Sequence, residues 1–366
     1  MIRVSIARWT VLVPVLALLA LAATWGRSLP GIAVTVVVIA LIGVVLSAVH
    51  HAEAVAHRVD EPFGSLVLAI AVTVIEVALI LTLMSSGGDK TSTLARDTVF
   101  AAVMITCNGI FGLALLIGAL RRRIAVFNAE GTGAALATVA TLATLSLVLP
   151  TFTTSKPGPE FSTAQLAFAA VASLALYGLF VLVQTVRHRD DFLPVESGIV
   201  ITADDEHDQH VERPSVRAAL RSLALLLVSL VCVVGLAKVV SPAVESAVES
   251  AGLPQSAVGV VIALLVLLPE TLAAVRAARR DRVQIGLNLA LGSAMASIGL
   301  TIPAIAVASI WLDGPLVLGL GATQMVLLAL TVVVGGLTVL PGRATLLQGG
   351  VHLALFSAFV FLAASP

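Results

Sequence analysis

Two glutamates stand alone in long apolar runs of this 366-residue chain, Glu76 in "LAIAVTVIEVALILTL" and Glu270 in "VIALLVLLPETLAAV". A charge at the centre of a bilayer costs ~3 kcal/mol or more, so an intramembrane carboxylate is by default a functional residue. Carboxylates suit hard cations, because their oxygens replace the hydration shell of such an ion. They also suit protons, since burial and a second carboxylate nearby both favour the neutral acid. A divalent cation and two protons would each leave such a pair close to neutral, and they would compete for the same oxygens. A neutral site can pass between inward and outward states, whereas an empty, doubly charged one is penalised. That is the chemistry of exchange.

The neighbours fit a cation site. Pro269 immediately precedes Glu270, and a proline inside a helix frees the carbonyl four residues back, here that of Leu265. Thr73 lies about one turn before Glu76. Aligning Asp97 with Asp281 sets "VMITCNGIFG" beside "LNLALGSAMA", with Asn108 and Gly109 opposite Gly292 and Ser293. The expected cation- and proton-binding residues are therefore Glu76, Glu270, Asn108, Ser293, Gly292 and Thr73, with the two glutamates as the metal ligands.

Such residues need spans to hold them. The chain is 59% hydrophobic and 11% charged, against about 25% charged in soluble domains. Its apolar runs have the length of membrane helices and lack the alternation of a barrel. Eleven runs are expected to span, at residues 9–25, 30–49, 64–84, 98–120, 132–150, 162–186, 216–240, 254–275, 283–308, 315–338 and 344–364. With the N-terminus cytoplasmic and the C-terminus outside, sixteen of the twenty-one Lys and Arg residues fall on the cytoplasmic side, as the positive-inside rule requires. The first run follows Arg3 and Arg8 and has small residues suited to cleavage, but ten further spans need no separate export signal. It is read as an uncleaved helix. Eighteen arginines against three lysines hint at a GC-rich bacterial genome, and the expected location is the bacterial inner membrane.

The longest polar stretch divides the chain after six spans. This gives an N-terminal helix (1–28), a first five-helix repeat (29–187), an acidic cytoplasmic linker (188–215) and a second five-helix repeat (216–366). Five is odd, so equivalent spans of the two repeats cross in opposite directions, and inverted repeats place their substrate site near the midplane. Glu76 and Glu270 occupy the second span of each repeat. The linker carries "TADDEHDQHVE", whose Asp204, Asp205, Glu206 and Asp208 form either a solvated connection or a patch that gathers cations. "HHAEAVAHRVDEP" precedes the Glu76 run. Its His50, His51, Glu53, His57 and Glu61 read as a juxtamembrane anchor or as an entry gate, since histidine titrates near neutral pH. His352, alone in the last run, reads as a packed or amide-bonded residue.

Other functions find less support. The chain has no HExxH, no GxSxG and no histidine cluster within a run, so an enzyme is not expected, nor is any cofactor. Cys107 and Cys232 lie in different runs and indicate no disulfide framework. A net charge of zero argues against nucleic acid as a partner. The partners are inorganic cations, protons and membrane lipid, and a homo-oligomer is compatible with this reading.

The stretches "GVVLSAVHHAEAVAHRVDEPFGSLVLAIAVTVIEVALI" and "ITCNGIFGLALLIGALRRR" resemble the bacterial ChaA-type calcium/proton antiporters of the cation/calcium exchanger superfamily. "LLPETLAAVRAARRDRVQIGLNLALGSAMASIGLTIP" resembles the second alpha repeat of that superfamily, in which an acidic residue on one helix faces a Gly-Ser turn on the next. The resemblance implies an all-α membrane protein with ten core helices in two inverted repeats plus one N-terminal helix. It further implies exchange of cytoplasmic Ca2+, or of Na+ and K+, for protons, with Glu76 and Glu270 as the central carboxylates. Two positions depart from the pattern. Val74 and Ile75 stand where Gly-Asn is usual, and Ala296 stands where glutamine is frequent. Both changes remove polar ligands and leave room for monovalent ions.

Overall fold

In hydrocarbon the backbone must satisfy its own polar groups, so long apolar runs fold as helices. The structure, a computed structural model, describes residues 2–27, 29–59, 63–87, 92–195, 215–254, 256–311 and 314–365. Its helices are α1 (Ile2–Thr24), α2 (Gly31–Val59), α3 (Phe63–Gly87), α4 (Leu94–Arg122), α5 (Ala129–Phe152), α6 (Thr163–Arg187) and α7 (Val216–Ser250). They continue with α8 (Ser256–Val266), α9 (Leu268–Arg279), α10 (Val283–Ala308), α11 (Ala322–Val339) and α12 (Leu346–Ala364).

Among the described residues, eight helices are long and apolar enough to cross a membrane, and α8 with α9 makes a ninth span bent by 53°. Helices α1 and α3 contribute shorter apolar stretches, Trp9–Thr24 and Ala71–Thr82. Each of the eleven expected runs coincides with a helix, α8 and α9 sharing one, and among the described residues eight or nine of these are long and apolar enough to cross. One boundary differs plainly: α2 was expected to end at residue 49 and continues to Val59. The polar "HHAEAVAHRV" is thus a helical extension rather than a loop, because nothing in it breaks a helix before Pro62.

Local signals fix the ends. The Asn128 side chain accepts from the backbone N–H groups of Glu130 and Gly131 at the start of α5. Ser162 and Thr345 cap α6 and α12, each with a glutamine reaching back from three residues on. Large apolar side chains such as Ile32, Val171 and Leu340 face outward, as a lipid-facing surface requires.

Loops that should share a membrane face touch one another. Strand β1 (Ala125–Val126), after α4, pairs antiparallel with β2 (Arg343–Ala344), before α12. Arg121 and Arg122 each reach Asp281 at 3.2 Å, joining the same face to the α9–α10 turn. On the opposite face Glu160 and Val317 form an isolated bridge, and the Val317 N–H donates to the Ser92 carbonyl at 3.1 Å.

The apolar interior forms two clusters. One contains α1, α2, α7 and parts of α3 and α8, with Leu94 at the start of α4; the other contains the rest of α4 with α5, α6, α9, α10, α11 and α12. Helices α3 and α8 contribute side chains to both, for example Ile75 and Ile80 on α3. They form the seam, and the seam carries the site.

Candidate cation site

A cavity of ≈ 230 Å³ lies on this seam, lined by α3, α6, α9 and α10. Glu76, Glu270, Thr73, Gly292 and Ser293 all line it. The α10 wall presents Ile285, Asn288, Leu289, Gly292, Ser293 and Ala296, one face of a helix. The lining extends to Gln184 and Thr185 on α6 and to Ile285 on α10, the turns nearest Arg187 and Arg282. The cavity therefore reaches toward the arginine-rich face.

The two carboxylates are held differently. Glu76 is buried on a continuous helix, and the Ser297 hydroxyl of α10 donates to its Oε1 at 2.5 Å. Glu270 lies in the first turn of α9, just past the break. Pro269 has no N–H to offer the Leu265 carbonyl, and the chain bends there instead of continuing straight. The Glu270 Oε2 is buried and has no hydrogen-bond partner. A buried carboxylate oxygen without a partner carries an unrelieved desolvation penalty, which a bound cation or a proton would remove.

Asn108 was grouped with the glutamates from the sequence, but the structure places it outside this cavity. It sits on a π turn, Ile105–Ile110, inside α4. Its Nδ2 donates to the Thr331 hydroxyl at 2.9 Å, and its Oδ1 faces His352 Nδ1 at 3.1 Å. His352 Nε2 in turn meets the Thr338 hydroxyl at 3.2 Å. The alignment of Asp97 with Asp281 pairs Asn108 with Gly292 in sequence, but equivalent positions of two repeats need not face one cavity. The two segments face different neighbours, because α4 packs on α12 whereas α10 packs on α6, and Asn108 therefore meets Thr331 of α11 and His352 of α12. His352 is the amide-bonded residue expected.

None of His50, His51 or Glu53 lines the cavity. His51 is buried, with Nε2 at 3.0 Å from the Thr10 carbonyl, which also accepts from Ser47. It ties α2 to α1. His50 and Glu53 are exposed on α2. The side chain of His57, together with Glu61, Asp204, Asp205, Glu206 and Asp208, lies outside the described residues.

Sequence reading missed Ser297 and Asn288. Ser297 is four residues beyond Ser293 on the same helix face, a spacing that was available. Asn288 had no such signal. Its Nδ2 donates to the Phe192 carbonyl at 2.6 Å and its Oδ1 accepts from Gln284 at 2.8 Å, the former a contact across almost a hundred residues of chain. Among the described residues no group of three or more His, Cys, Asp or Glu could hold a metal. A cation in this cavity has two carboxylates at most, and neutral oxygens must complete its shell.

The model of the family described as sodium/calcium exchanger protein matches residues 7–186 and 221–364. The chain is 45% identical to y4hA of Sinorhizobium fredii, to which an ionic-transporter role is ascribed, over 98% of this chain and 96% of that protein. It is 35% identical to the sodium-potassium/proton antiporter ChaA of Escherichia coli, over 95% of this chain and 93% of that one. Identity to a Ca2+/H+ antiporter of Aphanothece halophytica is 24%, over 83% and 82% of the two chains. Among solved structures, native YfkE superposes with a TM-score of 0.70 at 14% identity and full coverage of both chains. The H+/Ca2+ exchanger CAX gives 0.67 at 15% identity, covering 95% of this chain and 86% of that one.

Proposed function

Because the chain belongs to the sodium/calcium exchanger protein family, a family of multi-pass cation transporters, we propose that it exports cytoplasmic Ca2+ in exchange for protons. The observation that carries this reading is the cavity shared by Glu76 and Glu270, with Glu270 Oε2 buried and unpartnered. Two carboxylates supply up to four oxygens, and Ca2+ takes about six to eight. The hydroxyls of Ser293, Ser297 and Thr73, the freed Leu265 carbonyl and water would make up the rest. Protons arriving from the other side neutralise the same carboxylates and release the ion. The site is then neutral in both loaded states, and only those cross the barrier. On this reading the protein lies in a bacterial inner membrane with its arginine-rich face cytoplasmic, and its work is transport rather than catalysis.

A second reading has its own support. Two carboxylates with no third acidic or imidazole ligand among the described residues form a sparse shell for a divalent ion, and the Escherichia coli relative exchanges sodium and potassium for protons. An Na+(K+)/H+ antiporter would use the same two glutamates.

Proteoliposomes with an imposed pH gradient separate the readings. Micromolar Ca2+ should dissipate the gradient for the wild type and not for Glu76→Gln. A response to Na+ or K+ alone transfers the assignment to the monovalent antiporter, and a response to no cation removes both.

A further inference from the structure

A second cavity, of ≈ 280 Å³, is lined by α4 (Arg96, Asp97, Phe100), α8 (Val260), α12 (Phe359, Leu362, Ala363) and the first turns of α11. It lies at the other membrane face. The C-terminal end of α4 is bound to Asp281 at the arginine-rich face, so its N-terminal end, which carries Arg96 and Asp97, emerges at the opposite one. The 29 residues of α4 span ~43 Å.

The two cavities are built from corresponding helices with the halves exchanged. Counting α2–α6 and α7–α12 as the five spans of each half, with α8 and α9 as one, the first cavity takes the second and fifth spans of the first half and the third of the second, with Glu270 added from the second half's second span. The other cavity takes the second and fifth spans of the second half and the third of the first, with the first turns of α11 added. The seams match too: α3 packs on α10, and α8 packs on α4. The second seam is close enough that a Cβ on Gly259 would come within 3.1 Å of the α4 backbone at Asp97 and Thr98.

Their charges are handled in opposite ways. In the first cavity Glu270 leaves a carboxylate oxygen unpartnered. In the second, Asp97 is buried and both of its oxygens are occupied. Oδ1 accepts from Arg96 Nε at 2.8 Å and from Gln324 at 3.3 Å, and Oδ2 accepts from Thr93 at 2.8 Å. The cluster also fastens a strap across this end. Arg96 donates to the Gly319 carbonyl at 3.3 Å, while the N–H groups of Gly319 and Leu320 donate to the carbonyls of Pro159 and Leu147. Gln324 accepts from the Gly321 N–H at 3.0 Å, so one side chain holds both the end of the strap and Asp97.

We propose that this second cavity is the outer half of the ion path, and that the Arg96–Asp97–Gln324 cluster is the latch that keeps it shut while the first cavity is open. The proposal rests on the exchanger reading above. Opening the outer half separates Asp97 from Arg96 and Gln324 and hydrates both charges, which leaves Asp97 as the carboxylate met by a departing cation or an arriving proton. Removing one charge strands the other in the closed form but not in the hydrated open one, so it favours opening.

The test is thiol labelling at Leu327→Cys, which lines the outer cavity, with a membrane-impermeant reagent added to either face of reconstituted protein. The parent, whose two cysteines are buried, sets the background. Adding Arg96→Gln or Asp97→Asn should raise the labelling rate from the arginine-poor face about tenfold, a shift of ~1.4 kcal/mol in the closed–open equilibrium. Gln324→Ala removes only a neutral donor and should raise it by a smaller factor; it keeps the test available if loss of either charge prevents insertion. Unchanged rates in the variants that insert, or labelling from the arginine-rich face, would overturn the latch. Cation-driven proton flux measured on the same vesicles separates the two claims. Flux in the parent without a labelling shift in the variants removes the latch alone; a labelling shift with no flux in the parent shows that the cluster closes this cavity but removes the exchanger reading, and with it the cavity's place on an ion path.

Discussion

Glu76 and Glu270 face one cavity from opposite halves of the chain, yet their surroundings differ. Glu76 sits on an unbroken helix and receives the Ser297 hydroxyl. Glu270 sits beside a 53° bend, behind a proline, with one oxygen unpartnered. A carboxylate with a fixed donor is oriented before any ion arrives. One without a donor gains most from the ion or the proton itself. On the exchanger reading proposed above, Glu76 would act as a preset ligand and Glu270 as the group whose occupancy changes most.

The strongest test of this contrast removes each charge. Glu76→Gln and Glu270→Gln should each reduce cation-driven proton flux to the level of empty vesicles while the protein remains folded and inserted. Near-normal flux in either variant takes that residue out of the mechanism. Next in size is the bend. Pro269→Ala restores an N–H to the Leu265 carbonyl, and we expect the cation concentration for half-maximal flux to rise about tenfold, equivalent to ~1.4 kcal/mol of site stabilisation. An unchanged value would mean that the bend shapes the cavity without supplying an oxygen.

Ser297→Ala should cost less, about a threefold to tenfold loss of apparent cation affinity, matching the ~0.5–1.5 kcal/mol net worth of one hydrogen bond. A loss as complete as that of Glu76→Gln would make Ser297 an equal ligand and erase the distinction drawn above. The smallest effect belongs to the α4–α10 junction. Hydrogen bonding from Arg122, and then from Arg121, holds the Asp281 carboxyl below its ordinary value of 3.8. A carboxyl depressed in the folded state contributes its stability in full above the unfolded value and loses it as pH falls through the folded one. Asp281→Asn should therefore lower the melting temperature slightly at neutral pH, and by less at a pH well below 3.8. An equal difference at both would show that the aspartate acts through packing and not through charge.

Much of the architecture was legible because a bilayer enforces simple rules. Apolar length marks helices, and the Arg and Lys distribution groups loops by face. The contacts of Arg121 and Arg122 with Asp281 and the β1–β2 pairing join loops that the charge pattern had placed together. The glutamates were legible because a lone carboxylate in an apolar run is conspicuous, and Thr73, Gly292 and Ser293 join them at the cavity. Asn108 joins Thr331 and His352 instead, because only packing decides that α4 turns this face to α11 and α12. Asn288 went unnoticed because its partners, Phe192 and Gln284, acquire meaning only once α10 has packed beside the end of α6.

By itself, then, the sequence determined an all-helical membrane protein with a carboxylate in the second span of each half, since hydropathy, charge asymmetry and proline act locally along the chain. Tertiary structure decided which oxygens meet. Ser297 finds Glu76 across 221 residues of sequence, and Asp97 finds Gln324 across 227. Those pairings depend on how α3 lies against α10 and α4 against α8 and α11, and helix packing angles are set by whole surfaces of side chains rather than by any one motif.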